Sequence, residues 1–280
     1  MESSSGARGE RALSAEERRA ITSRATNDPE VDRGVGILWD AYGAFETAVV
    51  ADRLALIAAF HEARSCGVEM ASLREAITSE EDEPRRPVPD AHRIWNEAIS
   101  ASHMTALQSR RKTAATALVL TLDRHFDALW AKLGFPDDSV RGGPIIGAND
   151  VTAFESFHLC GNYLRHAHEW IAGGTRKRQA QRNIARLAAA GLDFRDDDMI
   201  AKAVDALPFQ DFTSLEVAAL DFVEFIVWFT QECMIRDWAA AHGEPLYRLR
   251  FNTYDDSNGN REIGLNLDCD LGARWRFPPP

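Results

Sequence analysis

The sequence predicts a mainly α protein: an irregular multi-helix bundle with a small C-terminal antiparallel β hairpin or three-stranded sheet. Three observations carry this reading. From Ile37 onward apolar residues recur three and four apart over several long runs, the pattern of amphipathic helices. Glycines and prolines separate those runs, at Pro84 to Pro89, Gly134 to Pro144, Gly173 with Gly174, and Gly191, where helices stop. After Gly243 the apolar period changes from 3.6 to 2, which is the period of strands.

Composition bounds the class. The chain has 280 residues, 45% hydrophobic and 27% charged, values of an ordinary globular protein that exclude a disordered, collagen-like or disulfide-scaffold chain. The net charge of -11 repels nucleic acid and anionic membrane except where a local patch overrides the average. Cys66, Cys160, Cys233 and Cys269 form no CxxC pair and follow no secretory signal, so neither a zinc ribbon nor a disulfide framework fits, and a cytoplasmic location is expected. The longest charge-free apolar runs, such as Ala114 to Leu122, fall far below the roughly 20 residues of a membrane helix. No membrane partner is expected.

Residues 1–33, rich in Ser, Gly, Arg and Glu, read as a mobile N-terminal arm, with one capping-box pair, Ser14 and Glu17, able to start a short helix. A helical domain follows over 34–243. Its first helix runs from Ile37 to about Ala63 and ends near Gly67, and a short second one covers Glu69 to Thr78. The acidic run Glu80 to Glu83 and three prolines make a solvated linker at about 79–89. Residues 90–134 read as helix, with Ser100 to Ser102 or Arg110 to Lys112 as the places where so long a run would break. Further helices are expected at about Val151 to Ala172, at Thr175 to about Ala190 before the Gly191 stop, and between Asp196 and Leu207. Asp196, Asp197 and Asp198 suit the electropositive start of that short helix. The last helix, Ser214 to about Ala241, is apolar on nearly every side, as a central core helix or half of a subunit interface would be.

In the C-terminal extension, 244–280, Tyr247, Leu249, Phe251 and Thr253 alternate with Arg248, Arg250 and Asn252, and Ile263, Leu265, Leu267 and Cys269 alternate with polar or small residues. Two strands around a turn at Asn258 and Gly259 follow, with a third near Arg274 to Phe277.

The segment FESFHLCGNYLRHAHEW, Phe154 to Trp170, holds three of the eight histidines. On a helical wheel at about 100° per residue from Phe157, Arg165 falls at about 80°, His158 at about 100°, Glu169 at about 120° and Asn162 at about 140°. An imidazole, a guanidinium, a carboxylate and an amide on one stripe supply a proton-transfer group, an oxyanion or phosphate clamp and an orienting partner, enough for hydrolytic or RNA-cleaving chemistry. The same stripe suits a solvated face with Arg165 and Glu169 as an i,i+4 ion pair. Glu155 and His158 have the Glu-x-x-His spacing of a di-iron helix, but such sites need a second copy and two further glutamates. No metal site and no cofactor is expected. Arg165, Arg176, Lys177, Arg178, Arg182 and Arg186 oppose Glu169 alone, and Arg178, Arg182 and Arg186 recur every four residues. This basic stripe fits a phosphate backbone, or a solvated face paired with acidic neighbours such as Asp193 to Asp198.

RDWAAAH, at the end of the last helix, places Arg236, Asp237 and His242 with five residues between Arg and His. An all-helical chain with this motif resembles the HEPN superfamily, helical nucleotide-binding domains that include many RNase toxins and phage-defence proteins. NYLRHAHEW resembles such a helix too, but departs from the pattern in leaving two residues between Arg165 and His168. The resemblance implies a metal-independent ribonuclease or RNA-binding protein of bacterial stress or defence type, acting where two protomers meet. His242 would move protons around the ribose 2′-hydroxyl, Arg236 would stabilise the charged phosphate, and Arg176, Lys177, Arg178, Arg182 and Arg186 would hold RNA. His158, Asn162, Arg165 and Glu169 form the second candidate site. The alternative is a non-catalytic helical interaction module, whose apolar last helix makes a homodimer or docks a protein partner.

Overall fold

Ser14 starts the first helix. Its hydroxyl accepts from the Glu17 amide at 3.2 Å while the Glu17 carboxylate accepts from the Ser14 amide at 2.9 Å, a reciprocal capping box. The computed structural model describes residues 13–82, 90–134, 142, 146, 151–171, 178–245, 249–255, 261–267 and 273–275, with backbone alone for 79–82, 90–93, 168–169, 171 and everything past 245. Among the described residues there are seven helices: α1 (Ala15–Thr26), α2 (Pro29–Asp82), α3 (Asp90–Leu133), α4 (Ala153–Ile171), α5 (Arg178–Ala189), α6 (Met199–Asp205) and α7 (Phe212–Ala241). Among them no helix is long and apolar enough to cross a membrane.

Two expected helices are one. Gly67 does not end α2, which runs on through it to Asp82. Nor does α3 break at 100–102 or 110–112. Gly191 and Gly243 do stop their helices, with φ of 76° and 71°, the left-handed conformation that glycine adopts without strain.

The expected closing sheet is corrected. Among the described residues of 13–245 there is no strand or sheet, and this body is helical. Past it lie short extended stretches of backbone, 249–255, 261–267 and 273–275, paired with one another and assigned to no packed layer. An alternating pattern becomes part of a fold only where its apolar face is covered, and a few short strands alone are marginal in water. The side chains of the alternating residues past 245 lie outside the described residues.

The chain divides into two compact units. In the first (1–48, 126–139 and 216–280), α1 packs Leu13, Ile21 and Ala25 against Phe225, Ile235 and Ala239 of α7. Residues from Leu13 on, within the expected N-terminal arm, thus belong to a core. Arg18 pairs with Glu232 at 2.6 Å, both side chains buried. Trp238 Nε1 donates to Asp28 at 3.0 Å; the Glu30 amide first, then this bond, holds the Asp28 carboxyl below its ordinary value. The apolar α7 is therefore a core helix of its own chain.

In the second unit (49–125 and 140–215), α2 and α3 run antiparallel. Cys66 and Met70 interlock with Leu107, and Arg110 donates to Glu62 at 2.7 Å. Arg111, nearly buried, reaches Asp198 at 2.5 Å and also pairs with Asp205, which ties the segment around α6 to α3. Asp196 pairs with Lys202, and Asp197 lies 3.8 Å from Lys112. The aspartate triplet thus answers cations at least as much as a helix dipole.

Candidate functional site

The site begins with an acidic residue out of place. Ala115, Leu118, Val119 and Leu122 bury one face of α3, and Asp123, four residues after Val119, falls on that face at 1% exposure. A carboxylate so buried needs partners. They come from α4, whose Phe154, Phe157 and Cys160 anchor it in the same unit.

His158 Nδ1 lies 3.1 Å from Asp123 Oδ1, and His158 Nε2 lies 2.9 Å from Asn162 Nδ2. Arg165 Nη2 donates to Asn162 Oδ1 at 2.9 Å and stands 3.0 Å from Asp123 Oδ2, a charge contact without hydrogen-bond alignment at that oxygen. The four side chains close a ring. Directions around it follow from donor chemistry. Arginine only donates, so Asn162 turns its oxygen toward Arg165 and its amide toward His158. Nε2 then accepts, and Nδ1 carries the proton and donates to Asp123.

Gly161 makes the approach possible. A Cβ at this mid-helix position would stand 2.8 Å from the Asp123 carboxylate carbon and closer still to Oδ2, so any other residue would displace the carboxylate. Exposure grades across the ring, with Asp123 enclosed, His158 15% exposed and Arg165 39% exposed. Cys160 beside it is fully buried, and burial, with the Asp123 charge second, pushes its thiol up to about 12. Ser156 is also buried and donates to the Ala153 carbonyl at 2.7 Å. Neither is a usable nucleophile.

Three of the four residues on the expected α4 stripe, His158, Asn162 and Arg165, therefore meet, on a partner the stripe does not contain. Instead of pointing into solvent, they face α3. The side chain of Glu169 lies outside the described residues, as do Arg176 and Lys177. Asp123 and Gly161 went unread in the sequence, although both left a signal: one acid in register with an apolar run, and one glycine inside a helix pattern.

The basic stripe on α5 divides. Arg178 and Arg182 are exposed, whereas Arg186 makes a fork with Glu155, Nε to Oε1 and Nη2 to Oε2 both at 2.6 Å. Glu155, not Asp193 to Asp198, is thus the acid that answers Arg186. The Arg236/His242 pair is arranged differently from the ring. α7 ends at Ala241, and the Glu244 amide donates to the Ala239 carbonyl at 2.9 Å. His242 stacks on Trp238 with centroids 4.3 Å apart and donates from Nδ1 to the Trp238 carbonyl at 2.8 Å, capping the helix end. Arg236 is half-buried and lies about 200° around α7 from Trp238.

No family model, curated protein or solved structure matches this chain. The ring has to be interpreted from its own chemistry. An imidazole whose Nδ1 proton is held by a buried carboxylate is the base-and-orienter part of many hydrolytic sites. A partly exposed guanidinium beside it is suited to an oxyanion or phosphate. With Cys160 and Ser156 locked away, an imidazole base here acts on water or on a group that the substrate carries.

Proposed function

We propose that the protein is a metal-independent ribonuclease of bacterial stress or defence type, acting through His158, Asp123 and Arg165. The observation that carries this is the closed ring, an oriented imidazole beside an arginine, with Cys160 and Ser156 buried next to it. RNA brings its own nucleophile next to its own phosphate. Arg165 holds the phosphate, and His158 Nε2 takes the proton of the ribose 2′-hydroxyl. The O2′–P bond forms, the O5′–P bond breaks, and the leaving oxygen takes a proton back from the imidazolium. The product is a 2′,3′-cyclic phosphate, with no change in oxidation state. Asp123 fixes the tautomer and steadies the imidazolium, and Arg178 and Arg182 hold flanking phosphates. Arg236 and His242 stay outside this reading, since His242 serves as a cap.

Cleavage of mixed cellular RNA in EDTA tests it, with His158→Ala, Asp123→Asn, Arg236→Ala and His242→Ala compared at native helicity. Cutting should survive EDTA, disappear in His158→Ala, fall in Asp123→Asn and persist in the α7 variants. Cutting that needs a divalent cation, or that persists without His158, refutes the proposal. In cells, the wild type should slow growth and His158→Ala should not.

One observation favours the non-catalytic alternative. Ile94, Trp95 and Ile99, on the first turns of α3, are 61%, 67% and 52% exposed, enough apolar surface to pair with a second copy. That reading expects a dimer in sedimentation that Trp95→Asp dissociates, and no RNA cleavage.

A further inference from the structure

We propose that Asn162 is a latch on His158, and that an anion of the phosphate class opens it by drawing Arg165 away. The inference rests on the same site as the ribonuclease reading and concerns how that site is switched on. In the ring described above, the Nε2 lone pair that a base must use is already occupied, at 2.9 Å, by the Asn162 amide. A resting site of this kind accepts no substrate proton.

Arg165 holds the latch shut. Its Nη2 gives Asn162 Oδ1 a 2.9 Å bond, and that bond decides which way the amide faces. A rotation of Asn162 by half a turn would set its NH2 against a guanidinium, donor against donor. Arg165 is also the outermost member of the ring at 39% exposure, so an incoming anion meets it first. In the ring the guanidinium has one neutral acceptor, Asn162 Oδ1, and a 3.0 Å charge contact with Asp123 Oδ2 that lacks hydrogen-bond alignment; phosphate oxygens offer the fork two charged, aligned acceptors in their place. Once Arg165 turns to the phosphate, the amide loses its orienting bond and can swing off Nε2. Asp123 keeps its hydrogen bond from Nδ1 and does not move, because the gap left by Gly161 still encloses it. The spacing of His158, Asn162 and Arg165 at i, i+4 and i+7 puts base, latch and trigger on one side of α4. The protein thereby frees its base only when phosphate is in place.

Acylation of His158 by diethyl pyrocarbonate, followed by peptide mass spectrometry, reads the accessibility of Nε2 without any reaction on RNA. The probes are inorganic phosphate and a 2′-O-methyl oligoribonucleotide, which carries the phosphodiester but cannot be cleaved. His158 in the wild type should react slowly, and phosphate should raise the rate by about fivefold, the factor that one net hydrogen bond is worth. Asn162→Ala and Asn162→Ser should react at the raised rate with or without phosphate, and Arg165→Gln should lose the response to phosphate. Acceleration by the oligonucleotide as well assigns the trigger to a phosphodiester, and acceleration by phosphate alone assigns it to the free anion. The latch is overturned if phosphate protects His158 or leaves its rate unchanged. It is also overturned if both folded Asn162 variants react no faster than wild type. Nitrogen NMR of the wild-type histidines gives a second reading that needs no variant: phosphate should shift Nε2 of His158 and leave Nδ1 in place. A phosphate-responsive latch in a protein that cuts no RNA keeps this proposal and refutes the ribonuclease. RNA cleavage with an indifferent Asn162 does the reverse.

Discussion

Alanine at position 161 separates a built site from a chance contact. Inside a helix, Gly→Ala normally stabilises by about 1 kcal/mol, because glycine gives up more conformational freedom on folding. At 161 the new Cβ would stand 2.8 Å from the Asp123 carboxylate carbon, so the carboxylate has to leave its place. Moving it breaks the 3.1 Å bond from His158 and the 3.0 Å contact with Arg165. A buried charge stripped of its partners costs about 3–5 kcal/mol, and we take the lower end, about 3, because Arg165 is partly solvated. Subtracting the helix gain leaves a loss of about 2 kcal/mol. Gly43 is the control: it also lies inside a helix, with nothing within 4 Å of an added Cβ, so Gly43→Ala should gain about 1 kcal/mol. The two alanines thus differ in sign. Urea unfolding followed by far-UV circular dichroism measures both, as opposite shifts of the midpoint at unchanged slope. In an Asp123→Ala background the carboxylate clash is gone and only a 3.3 Å contact with the remaining Cβ is left, so Gly161→Ala should cost less there than in the native background. A Gly161→Ala variant as stable as Gly43→Ala in the native background would refute the claim that this glycine holds space for the carboxylate.

Other outcomes follow from the same contacts. Arg111→Met leaves Asp198 and Asp205 facing each other and should destabilise by about 2–3 kcal/mol, below the full range for a broken buried pair because Asp205 is partly solvated, with Arg111→Lys a poor substitute for the fork. Burial already holds the Asp205 carboxyl above its ordinary value, so without Arg111 the folded chain binds protons the unfolded chain has released. The deficit of Arg111→Met should therefore shrink as pH falls from neutral toward about 4, which thermal melts across pH will show. The Cys160 thiol, pushed from 9.0 up to about 12 by burial, should resist iodoacetamide until the chain unfolds. Because the unfolded thiol ionises first, the wild type should lose stability as pH rises above 9, and Cys160→Ala should decline less steeply. In RNA filter binding, Arg178→Gln and Arg182→Gln should each lower the salt slope by about 1. Arg186→Gln should leave the slope alone and lower stability, since it frees Glu155.

The helices were legible because each is a repeated local pattern, and Gly191 and Gly243 ended theirs because a positive φ is a local property of one residue. Gly67 shows the limit of that logic. A glycine in a helical run does not by itself end the helix, and α2 passes through Gly67 as it passes through Gly43. The alternation after Gly243 failed for a related reason: it reports which residues could share a face, and says nothing of what covers that face. The α5 stripe held three arginines on the wheel, but Glu155, 31 positions earlier, pairs with Arg186 and leaves it half-buried.

The candidate site combines both cases. The wheel of α4 aligned His158, Asn162 and Arg165 correctly, and the question it left open was whether that stripe met water or protein. Asp123 answers it. An acid four residues after Val119 and three before Phe126 cannot reach solvent if the apolar run around it is buried, so it must find a cation or a donor elsewhere in the fold. A stripe of donors on another helix of the same chain, interrupted by a glycine at the level where a carboxylate would need space, is the complementary half of that demand. Neither half decides anything alone, since solvated stripes and stray acids are common. Their mutual fit gives the ring a chemical direction, from the buried carboxylate through the imidazole and amide to the exposed guanidinium, and any substrate has to enter at that exposed end.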